Sequence, residues 1–562
     1  MSPCLPRLSG RLAPALCLLF TLLAAVVLVA CGGAASSPAP TPSGSPRTGG
    51  SYNFPLLADP AGIEPLTASE LQGMQVAHQV FQGLVAYRLL DDGSLAAAPA
   101  IAENWTVNDD ATVFTFKLRR GVLFQTPVDR EVTAKDVLAS WTRVTDPGNH
   151  CLVASVFAPV QGCDDLGYQT DPRLGLTGVQ ALGRYTLQVT LRYSFAEFPQ
   201  SLGTTVAAVV PVDYIRRVGV KAFARKPVGT GPYMVVRWRP GRSIDLVRND
   251  LYWDPDGAGH VSSIHLPVLR DVAAAWELFK DGGLDFSEVP DGGILEAEND
   301  PRVTAGDWLA VKWPSLSVTF VGIDMLDPTL GTASGQAGLQ LRQALSRSVD
   351  QVAVISVGDE GVPLAATGIV PPGVPGFRDG QSSYVFDPDQ AKQEIAELGT
   401  LPTLEYWHTA GRAQQRTAEA LQAGWKTAGV DVTVSGRSAA DLLERLGGGS
   451  GSGSQLFEFS WTAAYPSMDQ FLYPLFHSGR SASGSYTFYS NPSVDELLLK
   501  ARSTPDATQR RNLYAQAEKM ILGDAPCIPL FFSREFRVIS ARVQGQVLDP
   551  MGFVDMWNVW VQ

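Results

Sequence analysis

Between residues 71 and 520 the chain switches repeatedly between two spacings of apolar residues, and this limits it to one broad class of fold. Leu71, Met74, Ala77, Phe81 and Leu84 recur at helical intervals. They follow Ser69-Glu70-Leu71-Gln72, which reads as a capping box. Phe114, Phe116 and Leu118 then alternate with Val113, Thr115 and Lys117, as in a strand. Thr133 precedes Val137, Leu138, Trp141 and Val144, a second capped helix, and Tyr185, Leu187, Val189 and Leu191 mark a half-buried strand. The second half repeats the mixture. Leu341, Leu345, Ser348 and Val352 read as a helix, as do Ala418, Leu421 and Trp425 up to a stop at Gly429. Val430, Val432 and Val434 form a strand, and Leu513, Ala517 and Met520 a late helix. Interleaved strands and helices over this length predict an α/β protein with mixed sheets. At 562 residues the chain is too long for one core and suits two or three domains.

The first 30 residues stand apart. Arg7 and Arg11 precede an apolar run over 12–30 that closes on Leu28-Val29-Ala30-Cys31. A basic head, an apolar stretch and small residues before a cut are the layout of a secretory signal. Leu-x-Ala-Cys resembles the lipobox of bacterial lipoproteins, which implies lipidation of Cys31 as the mature N-terminus. Residues 32–50 are almost wholly Gly, Ser, Ala, Pro and Thr, a composition that cannot bury a core and reads as a tether. The segment 447–454 has a similar composition and reads as a surface loop.

Several functions are disfavoured. The net charge is −12, with no basic block to face phosphate, so nucleic acid is not an expected partner. After the signal no apolar run approaches the ~20 residues that span a bilayer. Among six histidines none forms H-E-x-x-H or an i, i+4 pair, and no metal is expected. No G-x-S-x-G elbow occurs, and Pro232 interrupts the glycine pair Gly229-Thr230-Gly231, so neither a nucleophile nor a dinucleotide cofactor is expected. Carboxylates are plentiful enough to supply a glycosidase pair, so an exported hydrolase is the remote alternative. Cys4 and Cys17 leave with the signal. Cys151 and Cys163, in an exported chain, are expected to form a disulfide, and Cys527 to be a small buried hydrophobe.

Motifs in fixed order carry a family resemblance. They include Phe81-Gln82-Gly83-Leu84, Pro99-Ala100-Ile101-Ala102-Glu103-Asn104-Trp105, Phe114-Thr115-Phe116-Lys117-Leu118-Arg119 and Val132-Thr133-Ala134-Lys135-Asp136-Val137. Pro227-Val228-Gly229-Thr230-Gly231-Pro232-Tyr233, Arg248-Asn249-Asp250-Leu251-Tyr252-Trp253, Leu341-Arg342-Gln343-Ala344-Leu345 and Trp461 with Tyr465-Pro466 follow. From about residue 50 onward the chain resembles the extracytoplasmic solute-binding proteins of ABC importers, in the oligopeptide, dipeptide and nickel-binding group. The resemblance implies a two-lobed periplasmic-binding-protein-like fold with a hinge. One lobe would span 50–266 with 532–562, including an extra subdomain about 85–205, and the other 267–531. It further implies a small solute, first of all a peptide, closure of the lobes around it, and delivery by a lipid-anchored monomer to a permease with its ATPase subunits. An oligosaccharide or metal chelate is the alternative solute.

The resemblance also implies site residues. Backbone groups of Ser460, Trp461 and Thr462 would pair with a peptide main chain. Ser69 and Leu71 would flank the ligand from the other lobe, Ser69 doubling as a helix cap, and Tyr233, Tyr465 and Phe532 match cleft positions. Peptide-binding relatives read Trp-x-x-Asp-Tyr, with the aspartate holding the peptide α-amine. This chain reads Trp461-Thr462-Ala463-Ala464-Tyr465, so Ala464 offers no charge, and Asp469 or Glu458 is the nearest substitute. Asp324 stands where relatives usually carry asparagine.

Overall fold

The computed structural model describes residues 45–358, 360–381, 384–448 and 454–562. The signal, Cys31 and most of the tether lie outside the described residues, as do residues 449–453 of the Gly/Ser loop. The strands are β1 (Ser51–Asn53), β2 (Val85–Leu89), β3 (Leu95–Pro99), β4 (Ala102–Val107), β5 (Val113–Leu118), β6 (Val179–Gly183), β7 (Thr186–Thr190), β8 (Tyr233–Arg239), β9 (Ser243–Arg248) and β10 (Ser263–Pro267). They continue with β11 (Phe286–Glu288), β12 (Trp308–Ile323), β13 (Leu364–Ala365), β14 (Leu404–Thr409), β15 (Val432–Arg437), β16 (Leu456–Thr462) and β17 (Cys527–Ser540). Two four-stranded sheets run β1-β10-β9-β8 and β4-β5-β7-β6. A larger sheet runs β11-β17-β12-β16-β14-β15, with β13 on β17. Within it β14 is parallel to both β15 and β16, whereas β12 is antiparallel to β16 and β17. The α/β class with mixed sheets therefore holds.

Two large apolar cores organise these sheets. One gathers Tyr52, Val76, Phe116, Trp141, Leu246 and Ile264; the other gathers Phe320, Leu345, Tyr406, Trp425, Phe471 and Leu530. The long strands β12 and β17 run through both. Their antiparallel register extends from Trp308↔Ser540 to Gly322↔Cys527 and breaks between Pro314 and Val318. Pro314 has no N–H to give a ladder, so pairing is weakest where the chain passes between cores. Trp313 and Ile539 lie in the first core, while Leu316, Val318 and Phe532 lie in the second. Ala275, Phe279 and Trp308 meet Phe536 and Val538 in a smaller, third cluster. Core membership thus changes within the crossing strands.

Local expectations fared unevenly. Thr133 caps the helix Ala134–Thr145 in a box with Asp136, whose Oδ2 accepts the Thr133 N–H at 2.9 Å. Trp141 on that helix is fully buried and donates its indole N–H to Ala207 O at 2.9 Å. The box at Ser69 does not form. Glu70 caps the helix Leu71–Val80 by accepting from Gly73 N at 2.8 Å, and the Gln72 amide oxygen accepts from Leu57 N instead. The helix expected through Val352 divides, because Asp350 accepts from Ala353 N and starts a new helix, Gln351–Gly358.

The expected Cys151–Cys163 disulfide is a correction: both are free, buried thiols, as is Cys527. Hydrogen bonds hold the connection that a disulfide was expected to clamp. Gln169 donates from its backbone to Thr145 O at 2.8 Å and from its amide to Thr142 O at 2.7 Å, and Tyr168 donates its hydroxyl to Cys151 O at 2.8 Å.

Candidate solute-binding cleft

Backbone of the second core is left open at the end of β16. β14 pairs with β16 only at Tyr406↔Leu456 and Trp407↔Phe457. At the next residue of β16 the Glu458 side chain reaches across and accepts Thr409 N–H at 2.7 Å, and the two strands part. On its other side β16 stays paired with β12 as far as Thr462↔Ser317. Ser460, Trp461 and Thr462 therefore present one edge with no strand beside it among the described residues, and Ser460 and Thr462 are exposed. An exposed edge is a template for an extended chain. It lies at the C-terminal ends of parallel β14 and β16, where open α/β sheets bind ligands.

Side chains stiffen this edge. Ser460 Oγ lies 2.8 Å from Thr319 Oγ1, and Thr462 donates its hydroxyl to Ser317 Oγ at 3.2 Å. On the opposite face Trp461 donates its indole N–H to Gln470 O at 2.8 Å, and its ring lies near-parallel to Phe459. Past the tryptophan, Ala464 is exposed and its N–H is held by the Gln470 side chain at 3.2 Å.

Beside Ala464 is a cavity of about 240 Å³. Val156, Phe195 and Tyr465 wall it from the first core, and Tyr193, Asp469, Tyr473, Arg480 and Arg502 complete the lining. Tyr465 is buried and packs into the first core, although Ala463 and Met468 belong to the second. Asp469 is buried, accepts the Tyr514 hydroxyl at 2.9 Å and faces Arg502 Nε at 3.5 Å. Glu197, close by, accepts from Ser467 and lies 3.4 Å from Arg510; burial raises its pKa, against the pull of Arg510.

Two more cavities flank the crossing strands. One of about 140 Å³ is lined by Leu71, Gln75, Trp313, Glu535, Arg537 and Met551. A larger groove, about 950 Å³, shares Glu535 and Arg537 and reaches Arg412 and Arg416 at the start of the helix Arg412–Ala428, just beyond β14. Burial raises the pKa of Glu288, which lines both, with Arg537 opposing.

The nine expected ligand contacts thus divide. Ser460, Trp461, Thr462 and Ala464 stand on one run along the open edge, Tyr465 walls the adjoining cavity, and Leu71 lines a second cavity. Ser69 is half-buried and caps nothing. Tyr233 and Phe532 are corrections: each points inward from its strand. Tyr233 is fully buried with its hydroxyl on Val261 O at 3.1 Å, and Phe532 packs edge-on against Phe377. Asp324 accepts Leu326 N–H in a turn beyond β12, away from the open edge.

Sequence reasoning missed one group. His78 Nε2 lies 2.8 Å from Asp555 Oδ1, with Asp549 in the same cluster. Asp549 accepts from Met551 N and Phe553 N, and burial, reinforced by Asp555, pushes its pKa up to about 7. His78 is far in sequence from Asp549 and Asp555, so no local signal could have joined it to them.

Two apolar cores joined by a pair of crossing strands, with cavities where the cores meet, form the architecture of a hinged binding protein. The chain belongs to the bacterial extracellular solute-binding proteins of family 5, whose "Middle" description matches residues 96–483. It is 26% identical to Heme-binding protein A of Haemophilus influenzae over 563 aligned positions, covering 96% of this chain and 98% of the relative. It is also 26% identical to Glutathione-binding protein GsiB of Escherichia coli K12, covering 87% and 90%. Among solved structures, HbpA2 of Haemophilus parasuis matches with a TM-score of 0.80 at 22% identity, over 91% of this chain and 100% of that one. The unliganded open form of the periplasmic murein tripeptide-binding protein MppA also gives 0.80 at 22%, over 92% and 99%. These relatives are binding proteins, and the family is extracellular.

Proposed function

We propose that the chain captures an extended solute, first of all a peptide, between its two cores and delivers it to an ABC permease with its ATPase subunits. The observation that carries this reading is the unpaired edge of β16 at Ser460, Trp461 and Thr462. Main-chain hydrogen bonds along such an edge give affinity without reading side chains. The lobes in this reading divide within β12 and β17, where pairing breaks at Pro314 and core membership changes. Ligand that touches both lobes gains contacts only when they close, so binding shifts the population toward the closed state. Cys31 anchors the protein to the outer face of the membrane through lipid, and the tether of 32–50 gives it reach. No catalytic step is part of this reading.

A second solute class is favoured by one observation. Ala464 removes the acid that would hold a peptide amine, and relatives carry the names of heme-binding and glutathione-binding proteins. Native mass spectrometry of full-length protein, purified in mild detergent without unfolding, separates the two. Retained peptides of mixed sequence are the expected result. A single retained porphyrin or sugar would overturn the peptide reading.

A further inference from the structure

We propose that the cavity beside Ala464 is a subsite for a carboxylate at one end of the bound solute. The inference rests on the reading of β16 as the ligand-pairing edge. A strand lying along Ser460, Trp461 and Thr462 runs at one end into Ala464, which lines this cavity. The charge there is the reverse of what an ammonium needs. One acidic and two basic side chains line the cavity: Asp469, Arg480 and Arg502. The carboxylate is taken, since Asp469 is buried, accepts the Tyr514 hydroxyl at 2.9 Å and lies 3.5 Å from Arg502 Nε.

The cations are less fully used. Arg502 is only 9% exposed, and its Nε makes no hydrogen bond. Its guanidinium lies 3.9 Å from the centre of the Tyr473 ring, with Phe195 at 4.9 Å and Tyr193 at 5.1 Å. Arg480 is exposed and has no carboxylate within ion-pair distance among the described residues. The remaining acids nearby are engaged: Asp165 by Arg192, and Glu197 by Arg510 and Ser467. An ammonium entering this cavity would meet two guanidiniums and one carboxylate already shared. A carboxylate would meet a planar donor held in place by aromatic rings and a second, exposed one. Arginine forks match carboxylates, and the low local dielectric strengthens the pairing. Ala464 fits this polarity, because an acid there would repel the anion and reclaim Arg502.

The source of the carboxylate is open to experiment. It is either the C-terminus of a peptide or an acid attached at its N-terminus. Full-length protein in detergent is incubated with random pentapeptides in four forms: free, C-amidated, N-succinyl C-amidated, and N-acetyl C-amidated. Captured peptides are then weighed. Forms carrying a terminal carboxylate should be enriched about tenfold over the doubly blocked form, as one charge-assisted contact provides. Enrichment of the free form points to a C-terminus in the cavity; enrichment of the N-succinyl form points to an acid at the N-terminus. Arg480→Gln, on the surface, should cut the enrichment several-fold. Ala464→Asp should turn the preference toward the C-amidated peptide with its free amine. Equal capture of all four forms, or preference for the free amine in the unaltered protein, overturns the subsite while leaving the peptide reading intact. Capture of no form overturns the peptide reading and the subsite with it.

Discussion

Glu458 Oε2 accepts the backbone N–H of Thr409 at 2.7 Å, one residue after β14 and β16 cease to pair. A side chain here does the work of the missing strand partner. It satisfies Thr409 while leaving the edge of Ser460, Trp461 and Thr462 open to another chain.

Glu458→Ala should therefore strand a half-buried N–H and loosen the fork between the strands. The expected loss is about 1–3 kcal/mol of stability in urea unfolding. Weaker ligand capture should accompany it. Glu458→Gln keeps an acceptor and should lose less than half as much. Equal stability of all three proteins would show that the fork does not depend on this bond.

The cluster of Asp549, Asp555 and His78 predicts a pH dependence of stability. The Asp549 pKa is raised from 3.8 to about 7 by burial first and Asp555 second, with His78 and the N–H groups of Phe553 and Met551 opposing. The group favours folding while protonated, so its contribution is complete below pH 3.8. That contribution is lost as pH rises through about 7. The His78 pKa is also raised: burial lowers it, but Asp555 and Asp549 outweigh burial, and its contribution is lost in the same direction. Tyr87 faces Asp549 as well but stays neutral, its pKa raised further by burial. Asp549→Asn retains the oxygen that accepts from Met551 and Phe553. Its stability relative to the parent should rise between pH 5 and pH 8 by roughly 1–3 kcal/mol. A pH-independent difference in thermal unfolding would refute the assignment.

Cys151, Cys163 and Cys527 should all titrate with a thiol reagent once the protein is unfolded without reductant. In the native state they should react slowly. Burial pushes the Cys163 thiol up to about 12, and Cys151 and Cys527 are raised by the same cause, so little thiolate is present at neutral pH. Finding only one reactive thiol among these three after unfolding would restore the disulfide.

Cys31→Ser should release the protein into the medium or leave unprocessed precursor. Two or more acyl chains, at ~0.8 kcal/mol per buried CH₂, hold a protein where one chain does not. Membrane retention with normal cleavage in this variant would exclude lipid anchoring at Cys31.

The sequence by itself determined the α/β class, because the period of apolar residues is a local property. Phe114 with Phe116 and Ala418 with Trp425 reveal strand and helix without reference to anything distant. Order and spacing of motifs determined the family, and with it the run from Trp461 to Ala464. What the sequence could not rank was competition between neighbours of equal chemistry. Ser69 and Glu70 can each cap a helix, and geometry chose Glu70. Cys151 and Cys163 are close in sequence, yet hydrogen bonds from Gln169 and Tyr168 organise their loop without a bond between them. Tyr233 and Phe532 carry the right residue type for a cleft, but strand alternation turns them into the cores. Only the tertiary structure brought Arg502 over Tyr473 and against Asp469, and His78 against Asp555. Such clusters depend on long-range closure of the chain, and the charge of a cavity is the sum over elements that no local pattern connects.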